Sequence, residues 1–157
     1  MSSSRTRVEA TLKARGVEAE IVEFPASTRT AVEAAAAIGC DVAQIVKSLV
    51  FVTRQTERAV LVLASGSNQV DEKKLKALLG EKIGKANADF VRERTGFAIG
   101  GVAPLGHHQV DVVLADEDLL ALGELWAAAG SPNAVFKMNA AELATLTGAT
   151  IADVKRV

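Results

Sequence analysis

Few residues in this 157-residue chain have types and surroundings suited to chemistry. Lys47 stands between the apolar residues Val42, Ile45 and Val46 and the apolar run Leu49–Val52. A lysine there can pack its aliphatic stem and send its ammonium into a cleft. Taken alone, the simpler reading is a surface lysine at a helix end, favoured by the helix dipole. The second feature is Gly100-Gly101-Val102-Ala103-Pro104-Leu105-Gly106. Paired glycines after an apolar stretch let the backbone approach another group closely. That group is a chain segment or a ligand, and the residue types do not choose between them. For a ligand, exposed N–H groups would suit an ester oxygen gaining negative charge, and Pro104 would stiffen the loop.

Two further loops carry small polar groups. Ser65-Gly66-Ser67-Asn68 follows an apolar run, a place where loops line pockets or simply turn. Gly130-Ser131-Pro132-Asn133 is equally ambiguous. His107 and His108 are adjacent in a polar loop with no identifiable partner, so they read as solvated. Cys40 follows Gly39 at a helix end and reads as inert. No Gly-x-Ser-x-Gly elbow supports a serine hydrolase, and no dinucleotide or Walker glycine loop supports a nucleotide cofactor. With one cysteine and two histidines, neither a disulfide nor a Cys/His zinc site is expected, and no metal or cofactor is assigned.

The elements that must position these groups follow from the punctuation. Residues 5–15 read as a helix with Val8 and Leu12 on one face and Gly16 as its stop. Glu18–Phe24 reads as a strand broken by Pro25-Ala26-Ser27. Thr30 and Glu33 have capping-box spacing before an alanine-rich helix ending at Gly39, and Asp41 caps a short turn leading to Lys47. Ser48–Thr53 and Arg58–Ala64 form a hairpin. Helices are expected over 71–79 and 87–95, the latter capped by Asn87 and stopped by Gly96. Phe97–Ile99 starts a strand, Val110–Leu114 is another, and Asp116–Leu122 is a short helix. Glu124–Ala128 and Ala134–Met138 are strands around the 130–133 turn, with Trp126 read as core or interface. A helix to Leu146 and a strand over 151–154 complete the chain. The mixture gives an α/β (α+β) domain spanning 1–157 with a mixed sheet.

The bulk numbers agree. The hydrophobic fraction of 49% can build a core, and 24% charged residues can solvate the surface. A net charge of −1 argues against gripping long nucleic acid by bulk charge, although a few placed cations suffice for local contact with a short end. No run of 18 apolar residues predicts a membrane span, and the N-terminus lacks a signal core, so a cytoplasmic protein is expected.

In this order the pieces resemble the YbaK/prolyl-tRNA-synthetase-associated domain family. The resemblance is carried by Phe24-Pro25-Ala26-Ser27, Thr30–Ala35, Ile45-Val46-Lys47-Ser48-Leu49-Val50-Phe51, Val60–Ala64 with Asp71–Leu75, and Thr95-Gly96. The Gly-x-x-x-Pro signature Gly100–Pro104, Glu142-Leu143 and Leu146-Thr147-Gly148 complete it. It implies a curved mixed sheet flanked by helices, and hydrolysis of the ester joining a wrong, small amino acid to a tRNA 3′ end, most often tRNA(Pro). Lys47 matches the family's essential lysine; Gly100, Gly101 and Pro104 match its substrate-cradling loop. Catalysis is accordingly expected at Lys47, Gly100 and Gly101, and substrate contact at Ser48, Ser65, Ser67, Pro104, Ser131 and Asn133. The implied partners are the 3′ end of a mischarged tRNA and an aminoacyl-tRNA synthetase. Alternatives are a silent tRNA- or synthetase-binding module of the same fold, and a hydrolase of other activated esters. Two departures stand out. Cysteine-clearing relatives carry Gly-Lys-Arg-Gly near Gly130–Asn133, and the alanine-editing branch carries asparagine where this chain has Ser48.

Overall fold

Local chemistry starts and stops the helices. In the computed structural model, which describes residues 3–17, 20–25, 28 and 30–157, the helices are α1 (Ser3–Ala14), α2 (Ala31–Ile38), α3 (Glu72–Leu79), α4 (Ala88–Thr95) and α5 (Leu143–Thr147). Thr30 and Glu33 close the capping box, with the Thr30 hydroxyl accepting from the Glu33 N–H at 3.1 Å. Asp71 and Asn87 cap α3 and α4, and Gly39, Gly80 and Gly96 end their helices in the left-handed region that glycine enters without penalty. Val8 and Leu12 are buried, as the spacing in α1 predicts.

The strands are β1 (Ile21–Glu23), β2 (Ile45–Thr53), β3 (Ala59–Ser65), β4 (Ile83–Lys85), β5 (Val112–Asp116), β6 (Glu124–Ala128), β7 (Ala134–Asn139) and β8 (Thr150–Ala152). They form one mixed sheet in the order β1-β7-β6-β2-β3-β5-β8, with β4 also paired to β2. Every residue of β3 is buried, as a central strand covered on both faces must be. The main core gathers Phe97, Phe136, Leu105, Leu125 and Leu143 on one side of the sheet; Leu75 of α3 packs with Phe51, Val60 and Val62 on the other. No helix among the described residues is long and apolar enough to cross a membrane.

Several expectations need correcting. Phe97–Ile99 is not a strand. Gly96 turns the chain, Phe97 buries its ring under the Arg7 guanidinium 4.3 Å away, and the Gly101 N–H closes a turn on the Ala98 carbonyl at 3.0 Å. Strand β2 starts at Ile45, directly after a 3-10 turn over Val42–Gln44, so Lys47 lies inside a strand and not at a helix end. Strands β5 and β8 sit up to two residues from their expected bounds, and the expected C-terminal helix begins as a 3-10 turn over Ala140–Glu142. Of the expected first strand, Ile21–Glu23 is observed, while Glu18 and Ala19 lie outside the described residues, as do Ala26 and Ser27 of the following break. Strand β4 went unanticipated.

Candidate active site

The site arises where β2 loses a neighbour. Along one edge β2 is paired with β3 from Val46 to Val52. Along the other, β6 pairs only at Ile45 and Val46, and β4 takes over at Phe51. Residues 47–49 lie between, with no strand partner on that edge. The sheet forks there, and a cavity of about 800 Å³ opens with Lys47, Ser48, Leu49 and Val50 on its wall. That volume falls within the range of about 300–1,000 Å³ typical of small-ligand sites.

Lys47 is half-buried. Burial pulls its ammonium below the ordinary lysine value, because a charge loses hydration there. Its Nζ donates to the Asn68 main-chain carbonyl. That carbonyl is fixed by a chain of contacts. The Ser65 Oγ donates to the Ala43 carbonyl at 2.7 Å, and the Gly66 N–H donates to the Ile45 carbonyl at 2.7 Å. Gly66 lies so close to the 3-10 turn that a Cβ would fall 2.3 Å from the Val42 oxygen. The Asn68 side-chain amide donates to Asp118 at 2.9 Å and to buried Asp116 at 3.4 Å. Asp118 also takes the Lys155 ammonium at 2.7 Å.

Ser48 points to the opposite face of the sheet from Lys47, as alternate strand residues must. Its Oγ is the one buried side-chain polar atom lacking a hydrogen bond among the described residues. Gly100, with φ 93°, also lines the cavity. No acceptor among the described residues takes its N–H. The other glycine differs: the Gly101 N–H is engaged by Ala98, and a Cβ on Gly101 would lie 2.9 Å from the Ser131 Cα. Gly101 is therefore where the 97–104 loop packs on the 130–133 turn.

The structure thus brings Lys47, Ser48 and Gly100 to one cavity. Gly101, Ser65, Ser67, Pro104, Ser131 and Asn133 lie outside its wall. The Ser65 and Ser67 hydroxyls face each other at 3.2 Å within the loop. Pro104 is buried. Ser131 donates to the Asn133 Oδ1 at 3.2 Å, and the Asn133 amide donates to the Phe24 carbonyl at 3.0 Å, so this turn ties down the end of β1. His107 is half-buried rather than solvated. Its Nε2 lies 2.6 Å from the Ala103 carbonyl, and burial lowers its pKa below the usual histidine value.

Three cavity residues escaped the sequence reading. Trp126 lines the wall and also packs against the Ala34–Ala35–Ile45 cluster. Lys85 and Arg156 line it too, so the ionisable groups of the wall are Lys47, Lys85 and Arg156 against Glu72 alone. Only β4 and the C-terminal segment bring those cations in, and neither has a local sequence signal. Among the described residues no group of three His, Cys, Asp or Glu is placed to hold a metal.

Residues 25–146 match the model of the aminoacyl-tRNA editing domain. This chain belongs to the aminoacyl-tRNA editing domain family. Among relatives of the editing domain, YwhH of Bacillus subtilis (strain 168), an uncharacterised protein, is 32% identical over 80% of each chain. A proline–tRNA ligase of Lactobacillus acidophilus is 35% identical over 60% of this chain, which spans only 16% of the ligase. The crystal structure of a candidate trans-editing enzyme for prolyl tRNA synthetase superposes with a TM-score of 0.93 at 49% identity, covering 100% of this chain and 99% of that one. These likenesses agree with the editing-domain fold expected from the Lys47 and Gly100–Pro104 segments.

Proposed function

We propose that the protein is a trans-acting aminoacyl-tRNA deacylase that hydrolyses the ester of a mischarged tRNA. The carrying observation is the convergence of Lys47, Ser48 and Gly100 on one cavity where the sheet forks, in a chain of the editing family. An aminoacyl ester is already activated, so positioning and charge stabilisation can supply the catalysis without a protein nucleophile. In this reading the Lys47 ammonium holds the 3′-terminal nucleotide by a charge-assisted contact. The Gly100 N–H faces the ester oxygen as it becomes an oxyanion. A water oxygen bonds to the ester carbon, and the ribose oxygen leaves with one of the water's protons. Attack by the neighbouring ribose hydroxyl would only shift the acyl group to that oxygen, and water must then cleave the new ester in the same way.

The likeness to proline–tRNA ligases and to a candidate trans-editing enzyme for prolyl tRNA synthetase supports tRNA(Pro) carrying a small non-cognate amino acid as substrate. A synthetase is the matching protein partner. The test compares mischarged tRNA(Pro) species with the free ethyl esters of the same amino acids. The expected result is turnover of the charged tRNA and little of the free ester. Binding of tRNA without turnover would point to a silent binding module, and equal turnover of free esters to a general esterase.

A further inference from the structure

The register of the sheet places one aromatic ring and several cations along one face. Trp126 is the cross-strand partner of Ile45, and Lys85 that of Phe51, so both side chains project on the face that carries Lys47. Helix α2 covers this face around Ile45, and α3 covers it around Phe51. Between the two helices the cavity is open. Arg156 is delivered to it from the C-terminal segment. Its N–H donates to the Gln69 carbonyl at 2.7 Å, its Nη1 lies 3.3 Å from the Gln69 Oε1, and Val70 pairs with Lys155.

This arrangement has the chemistry of a track for single-stranded nucleic acid. Such tracks combine cations for the backbone with aromatic faces for the bases. The chain as a whole carries −1, yet the cavity wall carries three cations and one carboxylate. Six residue steps along β2, from Ile45 to Phe51, separate the Trp126 row from the Lys85 row, about 20 Å at strand spacing, which suits several nucleotides better than one. A tryptophan needed only to pack on α2 would be buried like its partner Ile45; Trp126 instead stays half-buried on the cavity wall. Lys137, its partner on β7, holds its ammonium 5.9 Å from the ring centroid and is paired to Glu124 at 3.0 Å.

We propose that Trp126 is the stacking platform for the terminal base of the bound RNA, and that Arg156 and Lys85 contact backbone phosphates upstream of it. The strand then runs with its 3′ end at Trp126 and its 5′ side toward Lys85. The proposal rests on the deacylase reading for the identity of the RNA, and it adds the direction and the residues.

Trp126 is the only tryptophan of the chain, so its fluorescence reports on the platform directly. The probe is an uncharged RNA hairpin with a single-stranded CCA end, compared with the same hairpin abasic at its last nucleotide, with binding followed independently by polarisation of a 5′ label. The intact hairpin should quench Trp126. The abasic hairpin should bind roughly tenfold more weakly and leave the fluorescence unchanged. K85A should weaken the intact hairpin and lower the slope of log affinity against log salt by about one, with quenching at saturation retained. Equal quenching by both hairpins, binding without quenching, or no binding would each overturn the platform. Deacylation without quenching would sink the platform and spare the deacylase reading; quenching without deacylation would do the reverse.

Discussion

The Lys47 ammonium donates to the main-chain carbonyl of Asn68, and the Asn68 side chain is in turn held by Asp116 and Asp118. The candidate lysine is thus aimed by a loop whose own position depends on two carboxylates of a different segment. Asn68→Ala keeps the carbonyl but removes its anchor. Under the deacylase reading it should lower kcat/KM by about tenfold, the effect of a small misplacement in a positioned site, with little change in the circular dichroism spectrum. Unchanged kinetics would show that Lys47 needs no such aim.

Gly101 separates a packing role from a substrate role. A Cβ there would meet the Ser131 backbone, at 2.9 Å from Cα and 3.0 Å from C, and backbone cannot swing aside. Gly101→Ala should cost about 1–3 kcal/mol as an overpacked contact, a fall in Tm of roughly 2–12 °C for a chain of this size. A thermal melt indistinguishable from wild type would mean that the 97–104 loop and the 130–133 turn are not pressed together.

Glu81 sets an acid limit on stability. Its buried carboxylate accepts from the Thr56 hydroxyl at 2.7 Å, the Gln55 N–H at 2.9 Å, the Thr56 N–H at 3.0 Å and Arg58 at 3.1 Å. The Thr56 hydroxyl bond is the largest cause that lowers its pKa, to about 2 from an ordinary 4.5. The folded state therefore binds this proton later than the unfolded chain. The resulting stability is complete above pH 4.5 and is lost as pH falls toward 2. Glu81→Gln should flatten Tm against pH across that window. A slope as steep as wild type would place the acid sensitivity elsewhere.

What could be read from the sequence was local. The Thr30–Glu33 capping box, the caps at Asp71 and Asn87 and the stops at Gly39 and Gly96 each depend on residues a few positions apart. The Lys47 and Gly100 segments were recognisable as a pair through family resemblance. The fork was not legible, because β4 is three residues, Ile-Gly-Lys, without alternation, and only its register against Phe51–Thr53 gives it meaning. Which loop glycine keeps a free N–H was also hidden, since that depends on the turn closing on Ala98. Trp126 and Arg156 reach the cavity through pairings that span most of the chain.

In the proposed reaction Lys47 holds the substrate for ester hydrolysis. The most direct measurement is deacylation of a panel of mischarged tRNA(Pro) species by wild type and Lys47→Ala side by side, with circular dichroism on both. Wild type should clear at least one small non-cognate amino acid, and Lys47→Ala should stay folded and lose about a hundredfold or more of that rate, the scale seen when a preorganised polar contact is removed. A folded Lys47→Ala protein that deacylates as fast as wild type would contradict it.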